Sequence, residues 1–345
     1  MTMTIRDRID WSSRYELMGG GMELEARDTP EIEFVASSEV KMSIKGTFIV
    51  PDDADLLTTR LCPYITINGV EYPCGRYIIT SADRTSRQGE EETELTGYSV
   101  LYLAKRTTVE DRLHFAAGDG YLATVRTLLI ASGITAIITD DETDAVLQTA
   151  REDWDPGTSY LEIINQLLGE CGYADAWPDM QGAVHLSRPA SGSAAEVTHT
   201  YSEGQYSIIA DSYKRSDDRY GKYNVIRVVC ANPDLSAPMV ATAELTDPAV
   251  PYSIPNIGRV AHVESVDNIA SQAELQRMAD ELMMRQRQLT QTCEFYTACD
   301  PTHACRDVTA LSRGEITGIW RETGWRLPLS GAYDMTHTGE RVIYA

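Results

Sequence analysis

The residues of this chain that best suit a metal site lie close together near its carboxyl end. They are Cys293, Cys299, His303 and Cys305, which offer three thiols and one imidazole. Zinc sites usually draw their ligands in close pairs such as Cys-x2–4-Cys, whereas five residues separate each of these cysteines from the next. The spacing favours ordinary packing of these side chains, and we expect no bound metal ion.

Two further groups of polar residues match fragments of known sites without completing them. His262 and Glu264 match part of the zinc deaminase signature, but the Pro-Cys-x-x-Cys segment that supplies the other ligands is missing. Residues 140–144 form an acidic loop that lacks the spaced ligands and the glycine of a calcium loop. We interpret this segment as a solvated loop.

Signatures of common enzymes are also missing from the sequence. It contains no Gly-x-Ser-x-Gly, His-Glu-x-x-His, Walker or Gly-x-Gly-x-x-Gly motif. Among the 52 acidic residues, no spacing singles out a pair of glycosidase carboxylates. Four tryptophans could line a sugar platform, although core packing is their commoner use: Trp154, Trp177, Trp320 and Trp325. We expect no catalytic residue, no cofactor and no enzymatic activity.

Charge and hydropathy limit the partners of the chain. Its formal net charge is −22, and its basic run from Lys214 to Arg219 is interrupted by two aspartates, so sequence-reading DNA binding is disfavoured. No apolar run approaches the roughly 18 residues of a membrane span, and charges occupy the N-terminal segment where a secretion signal needs apolar residues. We expect a folded protein of about two to four domains, made and kept in a cytoplasm.

The seven cysteines are an odd number without a Cys-x-x-Cys pair, which indicates free thiols rather than a disulfide framework. Cys62 and Cys74 flank an Asn68-Gly69 turn. In a two-residue hairpin their sulfurs would lie on opposite faces of the ribbon, so a bridge would require a bulge.

The elements that would position these residues begin with β-structure over 1–106. Val40, Met42 and Ile44 alternate with polar residues, which predicts a strand with one wet face. A hairpin around Asn68-Gly69 follows, then strands near 76–82 and 92–104 separated by a polar loop from Ser86 to Glu92. Antiparallel strands of this kind predict a small barrel or sandwich.

Residues 107–190 read as a compact α+β insert. Asp119 can cap a helix that Gly133 ends, and 134–139 is a β-branched run. Ser159 and Glu162 form a capping box for a second helix, after which Gly172 suits a left-handed C-cap and a short hairpin follows. The apolar stripe of that helix is Leu161, Ile164, Leu167, Leu168 and Cys171.

Residues 191–345 return to strands, near 290–299, 306–312, 316–327 and 339–345. The segment 223–230 is apolar on both faces, which predicts a strand that is buried or at an interface. A helix near 271–290 begins with a Ser271–Glu274 capping box and is predicted to pack on the outside of a C-terminal barrel. Its stripe is Leu275, Met278, Ala279, Leu282 and Met283.

The order of these motifs resembles that of a known family. REDWDPGTSY, LEIINQLLGECG and YADAWPDMQGAVHLSRP are followed by YNVIRVV, PYSIPNIGRV, the Ser271 helix and a strand containing Arg306-Asp307-Val308. This order is similar to that of tail hub or baseplate hub proteins of tailed phages, which are related to the hub half of the type VI secretion spike. The resemblance implies an α+β, mainly β fold with two tube-like antiparallel β-barrel domains, 1–106 and 191–345, an α+β insert domain, 107–190, and an outer helix.

The same resemblance implies a structural role in a tail or contractile injection system. A homotrimeric ring would join the tail tube or distal tail protein to the spike or fibre, contact the tape-measure protein and pass DNA in transit. It would be a virion protein of the tail tip or baseplate, assembled in the bacterial host cytoplasm. The chain ends at Ala345, so we expect no C-terminal wall-digesting domain.

A different class remains as the alternative, namely a tail-associated cell-wall hydrolase or a carbohydrate-binding tail protein. A cleft without a threefold axis would favour that alternative, and a trimeric ring would favour the hub. The charge of −22 has two interpretations of its own. In the first, acidic residues line a channel and repel DNA phosphates. In the second, they lie on the outer face and make the protein soluble.

Overall fold

A computed structural model describes residues 10–19, 21–87, 90–152, 154–204, 207–230, 239–266, 271–331 and 334–344. The N-terminal charges that argue against a secretion signal lie mostly outside this part. The helices are α1 Leu101–Arg106, α2 Tyr121–Ala131, α3 Tyr160–Glu170, α4 Ile254–Ile257 and α5 Gln272–Gln286. The strands are β1 Trp11–Met18, β2 Met22–Ala26, β3 Glu31–Val35, β4 Met42–Ile49, β5 Arg60–Ile67, β6 Val70–Pro73, β7 Tyr77–Arg87, β8 Glu90–Ser99, β9 Ile137–Thr139, β10 Trp177–Pro178, β11 Val184–Leu186, β12 His199–Ser202, β13 Ile209–Asp217, β14 Val225–Cys230, β15 Met239–Glu244, β16 Ala261–Val266, β17 Gln288–Ala298, β18 Val308–Ser312, β19 Gly318–Pro328 and β20 Asp334–Tyr344. The predicted α+β, mainly β fold class is confirmed.

The chain forms two compact units. The first comprises Met1–Tyr213 with Glu294–Gly339, and the second comprises Lys214–Cys293 with Glu340–Ala345. This division does not follow the three consecutive ranges predicted from the sequence, because the strands after Cys293 return to the unit that contains the N-terminal half.

Six antiparallel strands of the first unit close into a barrel. Their order is β4–β2–β1–β5–β7–β8, and β8 pairs with β4 to complete the ring. Met42, Ile44 and Phe48 of β4 are buried while alternate residues are not, as the alternation in the sequence predicts. From β4 the same sheet continues through β3 to β19, and β18 and β12 join it at β19.

Two boundaries in the N-terminal region differ from the predictions. The strand predicted over 92–104 ends at Ser99, and helix α1 follows because Leu101, Leu103 and Ala104 are buried in a helical core. The predicted loop from Ser86 to Glu92 is largely strand, since β7 runs to Arg87 and β8 starts at Glu90. The Asn68-Gly69 turn is confirmed: both residues have positive φ, and Ile67 pairs with Val70 across it.

The insert packs α1, α2 and α3 with the small sheet β10–β11–β9 around one apolar core. Ser159 caps α3 as predicted, because its Oγ accepts the N–H of Glu162 at 3.1 Å. Gly172 is left-handed just beyond that helix. Asp119 is not the cap of α2, whose N-cap is Gly120; its carboxylate instead accepts the N–H of Ala116.

The second unit contains the three-stranded sheet β15–β14–β16 and helix α5. The helix packs on β14 and β15, and its residues Leu275, Ala279 and Met283 are buried against Ile226 and Val228. Met278 and Leu282 are only partly buried. The apolar stripe of α5 therefore covers one face of this three-stranded sheet.

Candidate functional site

The first unit contains a group of histidines and carboxylates that we call the histidine–carboxylate cluster. Its members come from four separate parts of the chain: β12, the segment between β17 and β18, β19 and β20. They are His199, Asp300, His303, Asp307, Glu322 and His337. Three of the six histidines of the chain thus meet in one place.

Strand pairing brings these distant residues together. β12 runs parallel to β18, which places His199 opposite Thr309, and β18 is antiparallel to β19. The Glu322 N–H donates to the Asp307 carbonyl at 2.9 Å. The Asp307 carboxylate accepts the N–H of Ala304 at 2.8 Å and so holds the turn that carries His303.

One side of the cluster is a stack of rings. The imidazoles of His199 and His303 lie 3.8 Å apart between centroids, with 15° between their planes. The Nε2 of His303 is 2.6 Å from the Tyr201 hydroxyl, which itself donates to Asp300 Oδ2 at 3.2 Å. A phenol has one proton, so Tyr201 accepts from His303 and fixes a proton on its Nε2.

On the deeper side of the cluster, a hydroxyl group again orients an imidazole ring. The Nε2 of His337 is 2.9 Å from Thr297 Oγ1, and that hydroxyl donates to the Ala298 carbonyl. His337 therefore donates from Nε2 to Thr297. Thr309 Oγ1 donates to Glu322 Oε1 at 2.7 Å. Each buried imidazole is thus oriented by a hydroxyl on its far side.

The Nδ1 atoms of both buried histidines face Glu322. His303 Nδ1 lies 3.2 Å from Glu322 Oε2, and His337 Nδ1 lies 3.3 Å from Glu322 Oε1. Despite these short distances, His303 Nδ1, Glu322 Oε2 and His337 Nδ1 are buried atoms without a hydrogen-bond partner. The attraction here is electrostatic, because the angles of a hydrogen bond are not met.

The electrostatics of the cluster favour charged carboxylates. Burial would lower the pKa of His303, but Asp307 and Glu322 outweigh it and raise that pKa to about 10. Burial would raise the pKa of Glu322, but His303 and His337 hold it down at about 2. The pKa of Asp307 is likewise lowered, since His199 and His303 overcome its burial.

A cavity of about 600 Å³ adjoins the cluster. It is lined by β12, the turn after it, Ser207, Ile208 and Asp300. His199 and Asp300 line it, whereas His303, Glu322 and His337 are fully buried behind them. The cavity gives small solutes a route towards the ring of His199.

The ligand set considered from the sequence is not assembled in the described part of the chain. There, His303 groups with histidines and carboxylates rather than with Cys293, Cys299 or Cys305. Cys299 Sγ contacts the carbonyls of Pro328 and Ser330, and burial raises its pKa to about 12. Cys305 is buried in the barrel core.

The other candidates have structural surroundings. Trp154, Trp320 and Trp325 are buried, and Trp177 is half-buried against His185, so these rings form no exposed sugar platform. His262 and Glu264 form a partly exposed pair on β16. In the acidic loop, Asp140 lies beside His185 and Glu142 beside Arg126.

Sequence reasoning considered His303 but missed its partners. Glu322 and His337 lie at inward positions of β19 and β20, between residues that are more exposed. A polar residue on the buried face of a strand was the available signal, since Glu322 alternates in phase with Trp320.

No protein-family model matches the chain, and no curated protein matches it in sequence. Solved structures share its fold. A tail protein from Neisseria meningitidis MC58 is 15% identical, with a TM-score of 0.63 and coverage of 96% of each chain. The 43 kDa tail protein of prophage MuSo2 from Shewanella oneidensis is 8% identical, with a TM-score of 0.65 and coverage of 97% of this chain and 98% of that one. An E. coli component of the type VI secretion system is 9% identical, with a TM-score of 0.51, covering 96% of this chain and 76% of that one.

The chain therefore has the fold of phage tail proteins and of a type VI secretion component. This confirms, at the level of fold, the resemblance indicated by the order of the sequence motifs. In the described residues, no helix is long and apolar enough to cross a bilayer.

Proposed function

We propose that this chain is a structural hub protein of a phage tail tip or baseplate, or of a related injection apparatus. The observation that carries the proposal is one fold shared along nearly the whole length of this chain and of two tail proteins. Because the similarity covers both chains, the shared part is an entire architecture rather than a single common module.

In this role three copies form a ring that joins the tail tube to the spike or fibre. DNA passes through the ring, and the tape-measure protein contacts it. The support is the resemblance of the motif order together with exposed valines on one side of the sheet in the second unit. The open sheet face is our name for the side of the three-stranded sheet β15–β14–β16 that faces away from α5.

The open sheet face carries Val229, Val240 and Val263 together with the polar residues Arg227, Thr242 and Ser265, which share one side of the sheet in the strand register. Val240 and Val263 are exposed, while Ile226 and Val228 on the other side are buried under α5. Exposed valines beside polar residues are typical of a surface that a partner covers. We assign this face to a neighbouring copy in the ring.

The acidic charge fits passage of DNA. A chain at −22 gives a trimer a large negative field, and phosphates are repelled by a wall of the same sign. At physiological salt the field extends over a Debye length of about 8 Å, a substantial part of a narrow channel. We therefore place part of the acidic charge on the channel wall.

We also propose that the chain does no catalysis. A glycosidase needs a carboxylic acid whose pKa is raised so that it can donate a proton. In the histidine–carboxylate cluster the pKa values of Asp300, Asp307 and Glu322 are all lowered. These carboxylates are ionised at neutral pH, so none of them can donate the proton, and their lowered pKa values also make them weak bases.

Deletion of the gene in the particle-producing cell tests the proposed function. We expect particles that lack a complete tail tip in electron micrographs, with normal tails restored by the wild-type gene supplied in trans. Complete and infective tails without the protein would contradict a hub role.

A further inference from the structure

We propose that His303, Glu322 and His337 bind a divalent transition-metal ion of the zinc class. The three side chains come from the segment after β17, from β19 and from β20, and their ligand atoms lie within 4.8 Å of one another. All three side chains are fully buried. Nothing in the proposed hub role requires this site.

The orientation of the two imidazoles supports the site. Tyr201 and Thr297 accept the Nε2 protons of His303 and His337, so the Nδ1 of each ring is the nitrogen that faces Glu322 and can bind an ion once it carries no proton. A hydrogen bond on the far nitrogen is the usual second contact of a metal-bound histidine, because it fixes the tautomer and the ring direction. Here both rings have that contact.

Three buried polar atoms of this set are suited to binding a cation. His303 Nδ1, Glu322 Oε2 and His337 Nδ1 are buried without a hydrogen-bond partner. When both imidazoles are neutral at Nδ1, their lone pairs face the Glu322 carboxylate, and a positive charge between these atoms is favourable. In the described part of the chain, histidines supply the only cationic partners of Glu322 and Asp307.

The spacing and the donor types indicate the kind of ion. Ligand atoms around a tetrahedral zinc ion with bonds of about 2.0 Å lie about 3.3 Å apart. His303 Nδ1 lies 3.2 Å from Glu322 Oε2 and His337 Nδ1 lies 3.3 Å from Glu322 Oε1, so each imidazole has this separation from one of the two carboxylate oxygens. Two imidazole nitrogens with one carboxylate suit zinc and its neighbours, whereas calcium and magnesium prefer oxygen ligands.

A second combination, His199 with Asp300 and His303, is geometrically close as well. In that combination Asp300 already accepts from Thr302 and Tyr201, and His199 is only partly buried. We therefore assign the ion to the deeper set. His199 and Asp300 line the neighbouring cavity.

The competitor of the metal is a proton on His303. Because both use the same Nδ1 lone pair, metal binding would release that proton. In the bound state the ion would join three separate segments of the first unit and so stabilise it.

The test uses the full-length chain without a histidine tag. After dialysis against a chelator, the protein is titrated with Zn²⁺ and, separately, with Co²⁺ as a spectroscopic probe. We expect about one equivalent of Zn²⁺ per chain by elemental analysis, visible Co²⁺ absorption bands and a rise in Tm on adding the ion.

Three variants separate the proposed ligands from their neighbours. Glu322→Gln keeps the side-chain volume and is expected to weaken binding by more than about 100-fold. His262→Asn, in an exposed His–Glu pair outside the cluster, should bind like the wild type, and His199→Asn tests the other combination. Circular dichroism shows whether each variant is folded.

Two outcomes would overturn the assignment. A folded wild-type chain that takes up less than about a tenth of an equivalent of Zn²⁺, with no change in Tm, would show that a proton alone satisfies the cluster. Binding that His199→Asn abolishes while Glu322→Gln leaves it intact would move the ion to the other combination.

Discussion

Lys41 Nζ lies 2.8 Å from Asp175 Oδ2 and ties the N-terminal strands to the α+β insert. The lysine is buried and also donates to the carbonyl of Ala36 at 2.8 Å, whereas the aspartate is half exposed. Removing the carboxylate would leave a buried ammonium group with a single acceptor in the vicinity.

Asp175→Ala should therefore destabilise the first unit by about 1–2 kcal/mol in denaturant unfolding. The matched control is Glu39→Ala, which removes the partner of the exposed Lys105 and should cost less than about 0.5 kcal/mol. Equal effects of the two substitutions would show that the burial of Lys41 does not matter.

Helix α5 gives a second prediction. Leu275 is fully buried against the sheet of the second unit, so Leu275→Ala should cost roughly 2–5 kcal/mol in the stability of that unit. Met284 on the same helix is 56% exposed, and Met284→Ala should be nearly neutral. Hydrogen exchange of peptides from β14 measures the effect locally, and unchanged protection in Leu275→Ala would argue against this packing.

The thiols give a prediction with a defined pH dependence. Burial raises the pKa of Cys62 to about 11 and that of Cys74 and Cys299 to about 12. The thiolate is the reactive form, so alkylation of the native protein should be slow at pH 8 and should still be accelerating above pH 10. Mass spectrometry after alkylation checks this.

Under denaturing conditions all seven cysteines should be titrated as free thiols, since each is a separate thiol in the structure. Fewer than seven would reveal a disulfide. A native alkylation rate that levels off near pH 8.5 would contradict the raised pKa values.

Local signals predicted local structure well. Asn68-Gly69 predicted a turn with two positive φ angles, and Ser159 with Glu162 predicted the start of α3, because both signals depend on neighbours within a few residues. The prediction of a strand through Leu101 and Leu103 was wrong. A short alternation of apolar residues after a strand is also typical of a strand, and only the core of the insert, which buries these side chains, favours a helix here.

The histidine–carboxylate cluster could not be predicted from spacing. His199 is paired across the sheet with residues more than a hundred positions away, and Glu322 and His337 reach His303 because β19 pairs with both β18 and β20. The cysteines near His303 along the chain are not in its ligand groups within the described residues. Contacts of this kind are set by strand order, which the alternation of apolar residues does not specify.

The open sheet face gives a prediction about assembly. Val263→Asp should prevent ring formation while leaving the subunit folded. The valine is 57% exposed in the single chain, so the introduced carboxylate would be buried, at a cost in free energy, only when the ring forms. Val70→Asp is the matched control, a valine that is 54% exposed at the tip of the β5–β6 hairpin. Sedimentation of the purified chains, or of tail assemblies where assembly needs partners, measures the oligomer; a Val263→Asp variant that assembles as well as the wild type would exclude this face.

The most direct measurement of the hub account is electron cryomicroscopy of the tail tip that contains this chain. We predict three copies around a threefold axis, with an axial channel whose wall carries more Asp and Glu than Lys and Arg. A single copy without a threefold axis in a complete tail would contradict the ring, and a wall dominated by Lys and Arg would contradict the proposed path for DNA.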